Sequence, residues 1–541
     1  MSVFLSGVWG WLEAGRLQPA AAEAAQPRCL SWAPVGAAVA IVLGLALYAP
    51  LSDALVIGGD DMFELGKAQL LHRHPDLAVR LDNDQPWLHT LLVSWLFGWL
   101  GENAAIPRLF SLGCALVLAW SCFGLLGRGA GALERFFFLA FFFTSTQVPT
   151  LAASAMLELP AFAIGTCAAA VTLGCRRGNA AWRAGLAGAL FMAAVNIKLT
   201  VLLILPAWAV AAWWGRRARV RIPAVAAWAA GAVVAGLAIA WISPTFSLED
   251  LWLRHWQARN TALVHGELAP VWGDVVNDLT VFIAVIWGVG RLAARGWRRE
   301  PGLLFALGWL VTALLVHGFH RPWWSFYALH FHVPVAILAA EGVGGMARRA
   351  WADLRGFRRS VAEPPATQGA AAGGKRRGRS GFSLAAVAAI TVCSGWYGFR
   401  LPATFDELHR IGSARTARAN VFVGEIRKYA SRASWLYSSD PQIVFHSGIP
   451  QPPELVLTTY KRFALHRIDQ EHVMRVLQEY RPEVLLLGTY AELRDPVFRA
   501  WLQEQRYVRV FWTTNEELWV AESLAPKSVR TPRDLIRDLG L

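Results

Sequence analysis

Apolar residues along this chain come in blocks rather than in alternation. Blocks of roughly 15–22 residues, the length that crosses a bilayer, begin near residues 34, 108, 136, 160, 184, 200, 222, 279, 302, 328 and 382. Each predicts a membrane-spanning helix, about eleven in all. The apolar stretch Pro86 to Leu100 is shorter, and counting it as a crossing would break the alternation of sides that the others keep. It is expected to be an embedded or interfacial helix that returns to its own side. From about Pro402 the pattern becomes ordinary and charged. Apolar runs at Pro441–Phe445 and Glu483–Gly488 alternate with helical patterns at Ala419–Arg432, Asp469–Tyr480 and Asp495–Gln505. The expected fold is mainly α: a polytopic helical membrane protein over 34–400, followed by a soluble α/β domain over 402–541.

Composition agrees with this reading. Of 541 residues, 55% are hydrophobic and 17% charged, against roughly 45–50% and 25% in soluble domains. A soluble multidomain enzyme, a disordered scaffold and a DNA-binding protein are poor fits. The net charge of +14 sits mostly in clusters between apolar blocks: Arg128 and Arg135; Arg176, Arg177 and Arg183; Arg216 through Arg221; Arg291 through Arg299; and Arg348 through Arg379. This is the positive-inside signature of topology, so no nucleic acid is implied. With those clusters cytoplasmic, segment 1–33 starts in the cytoplasm, 53–107 forms the first outer loop, and the C-terminal domain lies outside. Glu363 to Gly381, within a linker over 360–381, is basic and of low complexity, a solvated loop rather than a lipid-headgroup site. The six cysteines form no CxxC pair, so neither a thiolate zinc site nor a disulfide framework is expected. No cleaved signal peptide is expected.

With that topology, the acids and bases near the membrane gather on the outer side. Asp60 and Asp61 stand in GGDDMFELGKAQLL, and Asp82 and Asp84 in RLDNDQPWL. Glu158 sits in AMLELP at the outer end of the third span, Lys198 in NIKLT at the outer end of the fifth, and His317, His320 and Arg321 at the outer end of the ninth. Ionisable groups at a bilayer surface are costly and normally face a polar cavity where they act. A carboxylate pair suits a general base, since each acid raises the other's pKa. Lys198, His320 and Arg321 supply the charge a phosphate leaving group needs. Plainer readings stand beside these: Asp60-Asp61 as a helix cap, Lys198 as a snorkelling side chain. His330 and His332 read as aromatic-belt residues beside Trp323, Trp324 and Tyr327. A divalent metal among these acids and histidines stays open, although no HxxxH or comparable spacing occurs.

The order of these motifs resembles the protein O-mannosyltransferase and aminoarabinose-transferase group, glycosyltransferase family 39 and its relatives in the GT-C class. GDDMFELGKAQLL is similar to the group's Asp-Glu, aromatic, Ala and Leu-pair pattern after the first span. DQPWLHTLLVSWLFGWLGENAAIPRLFSLGCALVL resembles its Pro-Pro-Leu helix, Phe-Gly turn and the Arg opening the next span, here Arg108. AMLELP, NIKLT and RPWWSFYALHFHVP fall where members place an acid, a Lys and an aromatic-rich motif, and the tail resembles that of many bacterial members. The sequence departs at Asp61 for Glu, at Pro86-Trp87 for Pro-Pro, and at Gln85 where His or Lys is common, so protein mannosylation is not carried over. The resemblance implies an inner-membrane glycosyltransferase with a polyprenyl-phosphate sugar donor, an extracytoplasmic acceptor and inversion at the anomeric carbon. Asp60 would be the base with Asp61 beside it as the second member of the catalytic pair, Asp82, Asp84 and Glu158 would lie around the acceptor, and Lys198, His320, Arg321 and Arg108 around the donor phosphate. A secondary transporter with these acids as ion or proton sites is the alternative reading, and a non-catalytic membrane scaffold the third. The lack of an internal repeat and the loop positions of the acids favour the enzyme.

Overall fold

The computed structural model describes residues 32–81, 83–127, 129–173, 180–215, 218–245, 279–318, 324–362, 384–459, 462, 468–488 and 495–526. Its helices run α1 (Ala33–Tyr48), α2 (Asp61–Arg73), α3 (Leu88–Leu100), α4 (Ala105–Leu125), α5 (Ala132–Phe143), α6 (Gln147–Ala153), α7 (Glu158–Leu173), α8 (Ala180–Val195), α9 (Leu205–Gly215), α10 (Ala218–Ile242), α11 (Leu279–Arg295), α12 (Pro301–His317), α13 (Leu329–Ala362), α14 (Leu384–Gly395) and α15 (Leu401–Gly412). The C-terminal domain adds α16 (Val421–Arg427), α17 (Pro441–Ser447), α18 (Gln470–Tyr480) and α19 (Pro496–Glu504).

The apolar blocks are helical, but many are shorter than full spans. Among the described residues, Ala105–Leu125, Ile222–Ile242 and Ser325–Ala352 are each long and apolar enough to cross a bilayer. Others, such as Glu158–Leu173 and Pro301–His317, have 16 and 17 residues, about 24–26 Å of helix, close to the hydrocarbon thickness. The block beginning near 136 is not one straight span: α5 and α6 meet at 81°. Thr144 ends α5 with its hydroxyl on the Ala140 carbonyl, a bond that competes with the helical ladder. The short helix expected within 86–100 is α3, 13 residues long, stopped by Gly101 at φ 88°, a conformation glycine adopts without strain.

Arginines of the basic clusters also form ion pairs with buried acids. Glu341 of α13 is fully buried and holds Arg295 at 2.8 Å and Arg291 at 3.1 Å, while buried Glu134 of α5 pairs with Arg348. These pairs tie α5, α11 and α13 together.

In the C-terminal domain, strands β1 (Leu436–Ser438), β2 (Val484–Leu487), β3 (Tyr507–Trp512) and β4 (Glu517–Ala521) form one sheet in the order β1-β2-β4-β3. β1 and β2 are parallel and the other two pairs antiparallel. The run Pro441–Phe445, read as apolar sheet material, is helix α17 instead. Asp440 caps it by accepting from Gln442 N at 3.0 Å, and Pro441 occupies its first turn, the position where proline starts a helix. Helix α14 continues through the turn Trp396–Arg400 directly into α15, so position 402 falls inside a helix that leads into the domain.

Candidate functional site

Asp60 and Asp61 are neighbours with different surroundings. Asp61 is fully buried. Its carboxylate accepts from Ile57 N at 3.1 Å and Ala155 N at 2.6 Å and forms an ion pair with Arg108. Arg108 is equally buried and also donates to the carbonyls of Leu51 (2.7 Å) and Ala54 (3.0 Å). The sequence reading put Asp61 beside the base and Arg108 on the donor phosphate. The structure instead joins the two as an anchor between the 51–61 segment, the start of α4 and the 154–157 turn. With its donors engaged on Asp61 and two carbonyls, this guanidinium has little left for a phosphate.

Asp60 occupies the position before α2, yet its side chain makes no capping bond, which removes the helix-cap reading. It is half-buried in a nest of charged groups. Burial pushes its carboxyl up to about 6, Lys198 pulls it down, and Glu158, Asp84 and Glu64 add to the rise. Glu158, the first residue of α7, is buried and ion-paired with Lys198. The Lys198 ammonium lies 4.5 Å from the centre of the Phe326 ring, held by cation–π attraction as well as charge. Lys198 is thus buried and paired rather than snorkelling. Among the predicted residues, the structure gathers Asp60, Asp84, Glu158 and Lys198. Asp82, His320 and Arg321 lie outside the described residues.

Three residues beside this nest were not anticipated. Glu64 and Lys67 follow Asp60 at i+4 and i+7, so all three share one face of α2. Lys67 meets Glu64 at 2.6 Å and donates to Asn83 Oδ1 at 3.2 Å, and His89 of α3 stands 3.6 Å from Glu64. Burial raises the Glu64 carboxyl, but Lys67 and His89 outweigh it and hold it below its ordinary value. The spacing DxxxExxK was the available signal in the sequence. His330 is not a belt residue: it is 1% exposed, edge-on to Phe162 at 4.5 Å and 4.8 Å from His317, which stacks on Tyr327 at 4.9 Å. Among the described residues, no three His, Cys, Asp or Glu side chains group to hold a metal.

The chain folds as a polytopic assembly of apolar helices carrying a small C-terminal α/β domain. That fold is similar to the fold of ArnT from Cupriavidus metallidurans. The crystal structure of that protein bound to undecaprenyl phosphate matches with a TM-score of 0.60 at 14% identity, covering 92% of this chain and 100% of that one. Its apo-state structure matches with a TM-score of 0.61 at 16% identity, covering 91% and 99%. The fold expected from the resemblance is the fold found. No protein-family model matches the sequence, and no curated protein does.

Proposed function

We propose that this protein is a membrane glycosyltransferase that moves a hexose or pentose from a polyprenyl-phosphate carrier to an acceptor hydroxyl. The observation that carries the reading is Asp60: an uncapped carboxylate, desolvated and set beside the Glu158–Lys198 pair, on the fold of a protein solved with undecaprenyl phosphate. Catalytic bases work best with a pKa near the operating pH, and burial moves Asp60 to about 6. In the proposed step the acceptor oxygen bonds to the anomeric carbon as its proton passes to Asp60. The carbon–phosphate-oxygen bond breaks on the opposite side with inversion, and the electron pair leaves on the phosphate. A phosphate leaves without a proton, so no general acid is needed.

The described groups in the nest, Asp60, Asp84 and Glu158 against Lys198, sum to negative charge. A phosphate donor therefore calls for further cations, and Arg321 with His320, in the segment just before Phe326, is assigned that role beside Lys198. Asp84 and Asp82 orient the acceptor, which is a glycolipid, glycan or protein, and Glu158 holds Lys198. In this reading the site and the C-terminal domain face the extracytoplasmic side of the inner membrane, as the distribution of basic clusters supports.

Purified protein in nanodiscs, offered a panel of polyprenyl-phosphate sugars, should consume one of them slowly by hydrolysis, and Asp60→Asn should not. If wild type neither consumes any donor nor melts higher in its presence, the reading is wrong. Asp60-dependent uptake into vesicles would then favour the transporter.

A further inference from the structure

The segment that delivers Asp60 is pinned from the far end of the chain. Asp53 O accepts from Ala417 N at 2.6 Å, Leu55 N donates to Arg415 O at 2.8 Å, and Ala54 bridges Thr416 as an isolated antiparallel pair. Ile57 O receives both terminal nitrogens of Arg410 at 3.4 Å. His446 of α17 reaches furthest in: its Nε2 lies 2.9 Å from the Ala54 carbonyl, the oxygen that Arg108 also engages. One carbonyl therefore joins the C-terminal domain to the Asp61–Arg108 anchor, one residue from Asp60. Helix α17 lies against α2 as well, with Phe445 packed among Leu65, Ala68 and Phe97. A carbonyl only accepts, so Nε2 carries the proton in this bond. Burial, then the Arg108 charge, holds the His446 imidazole down at about 4, so near pH 7 the ring is neutral and that tautomer is fixed.

We propose that His446 is a positioning residue for Asp60, acting through Ala54, Arg108 and Asp61. The C-terminal domain then serves the chemical step by holding the base's loop, beyond any part it plays in recognising an acceptor. The inference rests on the reading of Asp60 as the base.

Without the His446 bond, the Ala54 carbonyl keeps only Arg108, and the loop is free to shift toward it. A displacement of about 1 Å at a reacting group costs on the order of a hundredfold in rate. In full-length protein in nanodiscs, His446→Phe should lower kcat for donor consumption roughly ten- to a hundredfold with donor KM unchanged. His446→Gln, which presents an amide N–H at a similar reach, should restore most of the loss. Hydrogen exchange read by mass spectrometry should show faster exchange at amides 55–61 in the Phe variant and near-wild-type exchange in the Gln variant. Equal kcat in wild type and His446→Phe would overturn the inference. So would a loss that Gln leaves unrepaired and that follows a lower melting temperature, since that is a packing defect alone. A wild type silent toward every donor would take down the glycosyltransferase reading and this inference together.

Discussion

Replacing Asp60 by asparagine should stabilise the protein while stopping its turnover. The Asp60 carboxyl is raised from 3.8 to about 6, chiefly by burial. A carboxyl raised in the folded state contributes stability that is complete below its unfolded value and is lost as pH climbs through the folded one. A shift of roughly two units corresponds to about 3 kcal/mol, and the window runs from about pH 4 to pH 6. Asparagine keeps the shape and does not titrate. Wild type and variant should therefore unfold alike near pH 4, and the variant should pull ahead by up to about 3 kcal/mol at pH 7.5. Thermal unfolding in nanodiscs, followed by tryptophan fluorescence across that pH range, measures the gap. Donor consumption in the same samples should fall by roughly 10²–10⁴-fold. A variant no more stable than wild type at pH 7.5, or a gap that stays constant with pH, would mean that Asp60 is not held desolvated, and the argument for it as base would fail.

Three further outcomes are expected. Wild-type kcat/KM should rise with pH and level off above the Asp60 value, with activity at pH 5 about one-tenth of that at pH 7; because Lys198 pulls Asp60 down, Lys198→Met should move the rise to higher pH, and an unmoved profile would separate the two residues. Asp61→Ala and Arg108→Met should each destabilise by about 3–5 kcal/mol, since either strands a buried charge, while the double variant should cost less than their sum; strictly additive melting shifts would argue against the pair. Arg321→Ala should raise donor KM about tenfold or more, the loss of one charge-assisted contact, and an unchanged KM in donor titration would remove Arg321 from the phosphate site.

The helical blocks were legible because burial in lipid demands only local information, a run of apolar residues of sufficient length. The short helix after Pro86 was legible for the same local reason, whereas the helices near 470 and 496 were legible from their helical periodicity and the capping residues Asp469 and Asp495. The α5–α6 bend was not, because hydropathy counts Thr144, whose hydroxyl and N–H share the Ala140 carbonyl where α5 ends, only as a minor polar residue. Helix α17 had its signal in plain view, Asp440 followed by Pro441, but five apolar residues in a row suggest a strand as readily as a helix. Strands β3 and β4 pair through a register shift between Arg509 and Phe511, which blurs the period-two alternation.

The site was legible as a set of residues but not as a division of labour. Asp61 and Arg108 are 47 positions apart, and nothing local marks them as partners. What separates Asp60 from Asp61 is about 100° of rotation at the start of α2. That rotation turns Asp61 toward Arg108 and two backbone N–H groups, where its lone pairs are occupied. It turns Asp60 toward Lys198 and Glu158 with no capping bond. The Asp61 oxygens are taken up by fixed donors and serve the scaffold; the Asp60 carboxylate, desolvated and uncapped, is left to accept a substrate proton. Stability effects of opposite sign for Asp→Asn at these two adjacent positions, lower at Asp61 and higher at Asp60, are the signature this arrangement requires. Two solvated acids in a flexible loop would give neither.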